Sequence, residues 1–125
     1  MNPIDYFNII MVALRLDANK KIIMFDMLKK LIPIFTKNER GRKKDIDNFA
    51  FKLAVQSNEC KIIVKMVEDE CETLIKHNYD LIPKLGVEYY NLCNNIQQDM
   101  NNIINYCDSY IYEFVKCKKL PQNIN

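Results

Sequence analysis

Two long stretches of helical periodicity, 45–78 and 86–117, limit what this chain can fold into. In each stretch, apolar residues recur mostly three, four or seven positions apart, which is the spacing of one face of an α-helix. Between them, Pro83 removes a backbone donor and Gly86 can adopt a positive φ, so the segment 79–85 predicts a helix stop and restart. Two helices of about 32 residues would each be about 48 Å long. The pattern therefore predicts an antiparallel helical hairpin.

The N-terminal part predicts two shorter helices that pack on this hairpin. Asn2 and Pro3 suit the start of a helix over 3–16, and Asp17 can cap a second helix whose apolar run is 22–35. Pro33 lies inside that run and should kink or end the helix near residues 31–32, because it lacks an N–H and its ring clashes with the preceding turn. The third helix begins either near Lys37, through a capping box from Thr36 to Glu39, or at Asp45.

These elements predict an all-α fold, an antiparallel four-helix bundle-like domain whose two long C-terminal helices form the hairpin. We expect one domain over 1–120, which is within the usual size of a single core, and a disordered tail over 121–125.

The first helix is apolar nearly all round. Phe7, Met11 and Leu14 share one face, but Ile9 and Val12 lie outside it. A helix of this kind is central in its own bundle, shared with a partner chain, or bound to a membrane surface, and the absence of a basic polar face argues against the third. The second helix supplies a further apolar set: Ile23, Met27, Leu28, Leu31, Ile34 and Phe35.

Composition bears on compartment and source. Five cysteines are an odd number, and no signal peptide or transmembrane stretch is apparent, so we expect an intracellular, reducing setting, either cytoplasmic or nuclear. The abundance of Lys, Asn and Ile with scarce Ala is typical of AT-rich genomes, including those of some large DNA viruses. Formal net charge is only +2.

The densest basic segment lies between the second and third helices, at Lys37, Arg40, Arg42, Lys43 and Lys44. With lysines of the second helix it could neutralise several phosphates. No aromatic residue alternates with these basic residues to stack bases, and acidic neighbours dilute the charge. The segment is either a solvated loop or a nucleic-acid contact.

No pattern predicts catalysis, a metal site, a cofactor or a small-molecule substrate. His77 is the only histidine and lacks a Glu three residues before it, and the cysteines contain no C-x-x-C pair. A hairpin centred near Ile82 would pair positions whose numbers sum to about 164, which brings Cys71 level with Cys93. Such cysteines are either core residues or a redox or metal pair.

The leading expectation is a non-enzymatic interaction or assembly protein that forms a homodimer through helix 1, at Ile9 and Val12, and through an uncovered part of the hairpin seam. The reason is length, because two short helices cannot cover both hairpin arms. The amide-rich fourth helix is a second candidate partner surface, with Tyr89, Tyr106 and Tyr112 as contact residues.

The alternative is a nucleic-acid-associated protein that uses 37–44. A viral inhibitor of host signalling is a third option, supported by composition alone.

Overall fold

The computed structural model describes the backbone of residues 3–37, 43–78 and 82–124 and the side chains of 5–35, 44–74, 76 and 86–114. These residues form three helices, α1 (Pro3–Lys37), α2 (Lys43–Asn78) and α3 (Ile82–Ile124), and no strand. The prediction of an all-α fold is confirmed. The chain has three helices in the described ranges where the sequence predicts four, because the two N-terminal patterns belong to one helix.

The helices form an up-down-up bundle. Ser57 of α2 contacts Asp108 of α3, and Cys71 contacts Cys93, so α2 and α3 run antiparallel with numbers that sum to about 164, as predicted. The N-terminal helix α1 runs antiparallel to α2, because its Lys21 pairs with Glu59 and its Phe35 stacks on Phe49. It runs parallel to α3, because Phe7 packs on Tyr89 and Phe25 packs on Tyr106. The hairpin seam that the sequence predicts to be uncovered is therefore packed beneath α1.

The predicted break near Asp17 is wrong. Asp17 is exposed in the middle of α1, and Ala18 next to it is fully buried. A capping residue starts a helix only where the residues before it are not themselves helical. Residues 17–21 contain neither Gly nor Pro, so nothing there interrupts the helix. The small Ala18 side chain instead faces the other two helices. At this level Gln56, itself buried, donates a hydrogen bond from Nε2 to the Lys21 carbonyl at 2.7 Å.

The helix also continues past Pro33 to Lys37, beyond the end that the proline predicts. Pro33 is on the exposed side, whereas Ile32 is buried and Phe35 stacks on Phe49 with a ring-centroid distance of 4.5 Å. We attribute the continuation to these contacts, since tertiary packing can offset the loss of one helical hydrogen bond.

Near the hairpin turn, Gly86 has φ +73° and ψ 173° and separates one helical turn from the long part of α3. This is the positive φ that the sequence predicts for the helix restart. Towards the C-terminus α3 continues to Ile124, past the predicted end at Cys117, so four of the five residues of the predicted tail lie within it. The start of α2 at Lys43 lies between the two predicted starts, and 38–42 lies outside the described residues.

The core runs the length of the bundle. Its fully buried side chains are Met11 and Ala18 from α1, Leu53, Cys60 and Val67 from α2, and Ile96, Met100 and Cys107 from α3.

Candidate functional site

The most unusual surface of the molecule is the side of α1 that faces away from the other two helices. We call it the outward stripe. Large hydrophobic side chains on this side are 37–62% exposed, and they extend along nearly the whole helix. They are Tyr6, Ile9, Val12, Leu16, Ile23, Met24, Met27, Leu31 and Ile34.

Five of the nine stripe residues, Ile9, Leu16, Ile23, Met27 and Ile34, follow a regular register. Positions 9, 13, 16, 20, 23, 27, 30 and 34 alternate four and three apart, a 3.5-residue period typical of a coiled-coil seam. Only positions 20 and 30 are not apolar, and both are lysines, whose long alkyl stems can lie along an apolar surface. The inward face of the same helix follows its own set, through Phe7, Met11 and Leu14. One helix therefore carries two apolar faces.

Three polar contacts fix which face of α1 points outward. Arg15 Nη1 lies 3.0 Å from Asp99 Oδ2 of α3, and Lys21 pairs with Glu59 of α2. The third is the hydrogen bond from Gln56 to the Lys21 carbonyl described above. Because these contacts tie α1 to both neighbours, rotation of the helix about its axis would break all of them.

An open groove between α1 and α2 borders the stripe and extends it. Its volume is about 870 Å³, and its apolar lining includes Met24, Met27 and Leu31 from α1 with Phe51 and Val55 from α2. Phe51 is 69% exposed, although its neighbour two positions back, Phe49, is buried in the core. The stripe and the groove together make one continuous apolar surface.

The outer surface of α3 is different in character. Seven of its exposed side chains are amides: Asn91, Asn94, Asn95, Gln98, Asn101, Asn102 and Asn105. The three predicted tyrosines do not lie together on it. Tyr89 is half-buried against Phe7, Tyr106 packs at the α1 boundary against Phe25, and Tyr112 is exposed.

The two predicted residues of helix 1, Ile9 and Val12, are each 57% exposed on the outward side. Sequence reasoning did not separate Ile23, Met27 and Ile34 from the core set of the second helix, although they face outward while Leu28 and Ile32 face inward. Their 4-3 spacing, continued from Ile9 through Leu16, is the signal that could have distinguished them.

The predicted basic segment lies largely outside the described residues. Arg40 and Arg42 are outside them, the side chains of Lys37 and Lys43 are not described, and Lys44 is exposed. Of the lysines expected to assist this segment, Lys21 pairs with Glu59, and Lys29 lies over the rings of Phe25 and Tyr106 at 5.1 and 5.3 Å. Two of those cations are thus engaged within the chain.

Four cysteines with described side chains lie along the α2–α3 interface. Burial raises the pKa of Cys60 to about 11 and that of Cys107 to about 12, so both thiols stay protonated at neutral pH. Cys71 and Cys93 lie with their Sγ atoms 3.4 Å apart, as the hairpin register predicts. Among the described side chains no group of three or more His, Cys, Asp or Glu residues could hold a metal ion, and the His77 side chain is not described.

The chain matches no protein-family model, no curated protein and no solved structure. Within the described ranges, none of the helices has the combination of length and apolar character that crossing a membrane requires.

Proposed function

We propose that the protein works by binding another protein surface rather than by catalysis, and that it dimerises through the outward stripe of α1 and the adjoining groove. The observation that carries this proposal is the stripe itself, with nine exposed large hydrophobic side chains on one side of one helix. Monomeric proteins seldom expose contiguous apolar patches of more than a few hundred Å². The stripe and the adjoining groove together exceed that range, as an interface would.

The dimensions favour an interface that includes the groove. From Ile9 to Ile34 the stripe is about 38 Å long, at about 1.5 Å per residue. With a width of about 10 Å it offers roughly 400 Å², about half of the roughly 800 Å² that each partner buries in a standard interface. Adding α2, whose axis lies about 9 Å away in ordinary helix packing, brings the footprint to roughly 750 Å². Phe51 and Val55 are thus expected to contribute to the interface beside the stripe.

The charges along the outward stripe favour a second copy of the chain as the partner that binds there. They also favour an antiparallel orientation of the two α1 helices. Lys20 and Lys30 lie on the stripe, and the exposed Asp17 and Asp26 lie along its two edges. A two-fold axis near Ile23 brings Lys20 of one protomer to Asp26 of the other, and Lys30 to Asp17. A parallel pair would instead set each lysine against its own copy. Such exposed pairs add little affinity, but like charges across an interface disfavour the parallel arrangement.

Light scattering after size exclusion, in reducing buffer over a range of concentrations, tests the proposal. We expect a mass near twice the 14.9 kDa of one chain. The double variant Ile23→Lys/Met27→Lys should have the mass of one chain with an unchanged helical circular dichroism spectrum. Tyr112→Lys is the matched control, because it changes an equally exposed side chain on α3. A wild-type protein that keeps the mass of one chain at every concentration would refute dimerisation. If Tyr112→Lys dissociated the dimer and Ile23→Lys/Met27→Lys did not, the interface would lie on α3.

The orientation has its own test in cysteine cross-linking. In the antiparallel arrangement position 23 meets its own copy, whereas position 16 meets the region of position 30. We expect Ile23→Cys to form a covalent dimer under mild oxidation and Leu16→Cys to remain a single chain. The wild-type chain under the same conditions gives the background from its native cysteines. Equal cross-linking of both variants would indicate a parallel pair.

A further inference from the structure

Cys71 and Cys93 form a thiol pair across the hairpin, close to the turn that joins α2 to α3. Their Sγ atoms are 3.4 Å apart. The Sγ atoms in a disulfide lie about 2.05 Å apart, so the two must approach by only about 1.4 Å to bond, a displacement within reach of side-chain rotation. Cys71 is half-buried and Cys93 is buried. Cys71 is therefore the more accessible member of the pair.

The two thiols also differ chemically. The hydrogen bond with Cys93 lowers the pKa of Cys71, and the same hydrogen bond together with burial raises the pKa of Cys93 well above its usual range. Thiolate is the reactive form of cysteine, so Cys71 is the more nucleophilic of the two. The fully buried Cys60 and Cys107 have raised pKa values and no comparable exposure.

We propose that Cys71 and Cys93 are a reversible dithiol–disulfide pair, with Cys71 as the attacking thiol and Cys93 as the resolving thiol, oxidised by low-molecular-weight disulfides of the glutathione type. The Cys71 thiolate attacks one sulfur of oxidised glutathione, which forms a mixed disulfide and releases one glutathione thiolate. Cys93 then loses its proton and attacks Cys71 Sγ, which forms the protein disulfide and releases the second glutathione. In total two protein thiols are oxidised and one glutathione disulfide is reduced to two thiols.

The bond would fasten α2 to α3 at the end of the bundle where Phe7 packs on Tyr89, one helical turn from Cys93. It would close a loop of 23 residues that contains the whole connection between the two helices. Closing such a loop restricts the unfolded chain, so oxidation is expected to raise the thermal midpoint by roughly 10 °C. The pair lies away from the outward stripe and does not depend on dimerisation.

The experiment equilibrates the folded, full-length protein with defined ratios of oxidised and reduced glutathione, then alkylates free thiols in denaturant and maps the peptides. We expect the oxidised protein to carry three alkyl groups where the reduced protein carries five, with one peptide linking Cys71 to Cys93. The dimer-disrupting variant Ile23→Lys/Met27→Lys should form the same link. A link between other cysteines, a link only between two chains, or five alkyl groups at every ratio would overturn the proposal.

Single substitutions separate the two roles. Cys93→Ser should accumulate a glutathione adduct on Cys71, since the resolving thiol is absent, while Cys71→Ser should leave Cys93 unmodified. Cys60→Ser is the matched control, because it changes another cysteine of α2 that the mechanism does not use, and it should oxidise like the wild type. Adducts on Cys93 in the Cys71→Ser variant at the rate seen for Cys71 would contradict the assignment of roles.

Discussion

Phe49 offers the sharpest test of how α1 is attached to the hairpin. It is buried, stacks on Phe35 of α1 at 4.5 Å and meets Phe114 of α3 edge-on at 5.9 Å, so it joins all three helices. Truncation of a buried Phe to Ala costs about 3–5 kcal/mol in free energy of unfolding. A domain of this size has a total of about 5–15 kcal/mol, so Phe49→Ala should remove a large fraction of it. If the free energy of unfolding falls by about 1.5 kcal/mol per molar urea, the urea concentration at the unfolding midpoint should fall by roughly 2–3 M.

Phe51→Ala is the matched control, because Phe51 is the same residue type two positions along α2 and is 69% exposed. Phe49→Ala and Phe51→Ala should both be made in the Ile23→Lys/Met27→Lys variant, in which dimerisation does not contribute to stability. There Phe51→Ala should alter the free energy of unfolding by no more than about 0.5 kcal/mol. Equal costs for the two variants would refute the burial pattern of α2.

A double-mutant cycle between Phe35→Leu and Phe49→Leu examines the helix beyond Pro33. The stacked pair should show a coupling of about 0.5–1.5 kcal/mol. Zero coupling would mean that the turn of α1 after Pro33 does not pack on α2.

Three further outcomes are expected. Gly86→Ala should lower the free energy of unfolding by about 1–3 kcal/mol in urea titrations, because φ +73° with ψ 173° is a backbone conformation that is essentially restricted to glycine. The added Cβ would meet nothing within 4 Å, so an unchanged free energy would contradict this conformation. Because the folded-state pKa values of Cys60 and Cys107 are raised, their contribution to stability is complete below the unfolded value near 9 and is lost as pH rises through about 11 for Cys60 and about 12 for Cys107. Cys60→Ala should therefore flatten the decline of stability between about pH 9 and pH 11. For the basic segment, we expect only weak, salt-sensitive binding of DNA or RNA in fluorescence anisotropy. Tight binding would instead favour the nucleic-acid alternative if alanine at Arg40, Arg42, Lys43 and Lys44 abolished it. Alanine at Lys52 and Lys76 is the control and should then leave the binding unchanged.

The hairpin could be predicted from sequence because its signals are local and agree with one another. The apolar period extends over 45–78, interrupted only by the buried polar residues Gln56 and Ser57, and Gly86 marks the restart where the backbone requires a positive φ. The same register predicted that Cys71 meets Cys93, since antiparallel pairing follows from the position of the turn.

The continuity of α1 could not be predicted in the same way. A potential cap at Asp17 and a proline at position 33 both favour breaks, and the contacts we hold responsible for overriding them, those of Ala18 and Phe35, come from residues distant in sequence. The outward stripe was missed for a related reason. Once the helix is split into two, the phase that links Ile9 to Ile34 is lost, and exposed and buried positions of the second half look alike.

The up-down-up arrangement also bears on the order of folding. The partners in α2 and α3 are joined through one short connection, whereas α1 meets α3 through pairs such as Arg15 and Asp99, 84 positions apart. Loop-closure entropy grows with the length of the closed segment, and low contact order favours rapid formation. Contacts between helices that follow one another in the chain are therefore expected to form before those between α1 and α3. Until α1 packs on α3, the surface of α3 that it covers is open to the α1 of any other chain, so refolding at high protein concentration should favour exchange of this helix between molecules.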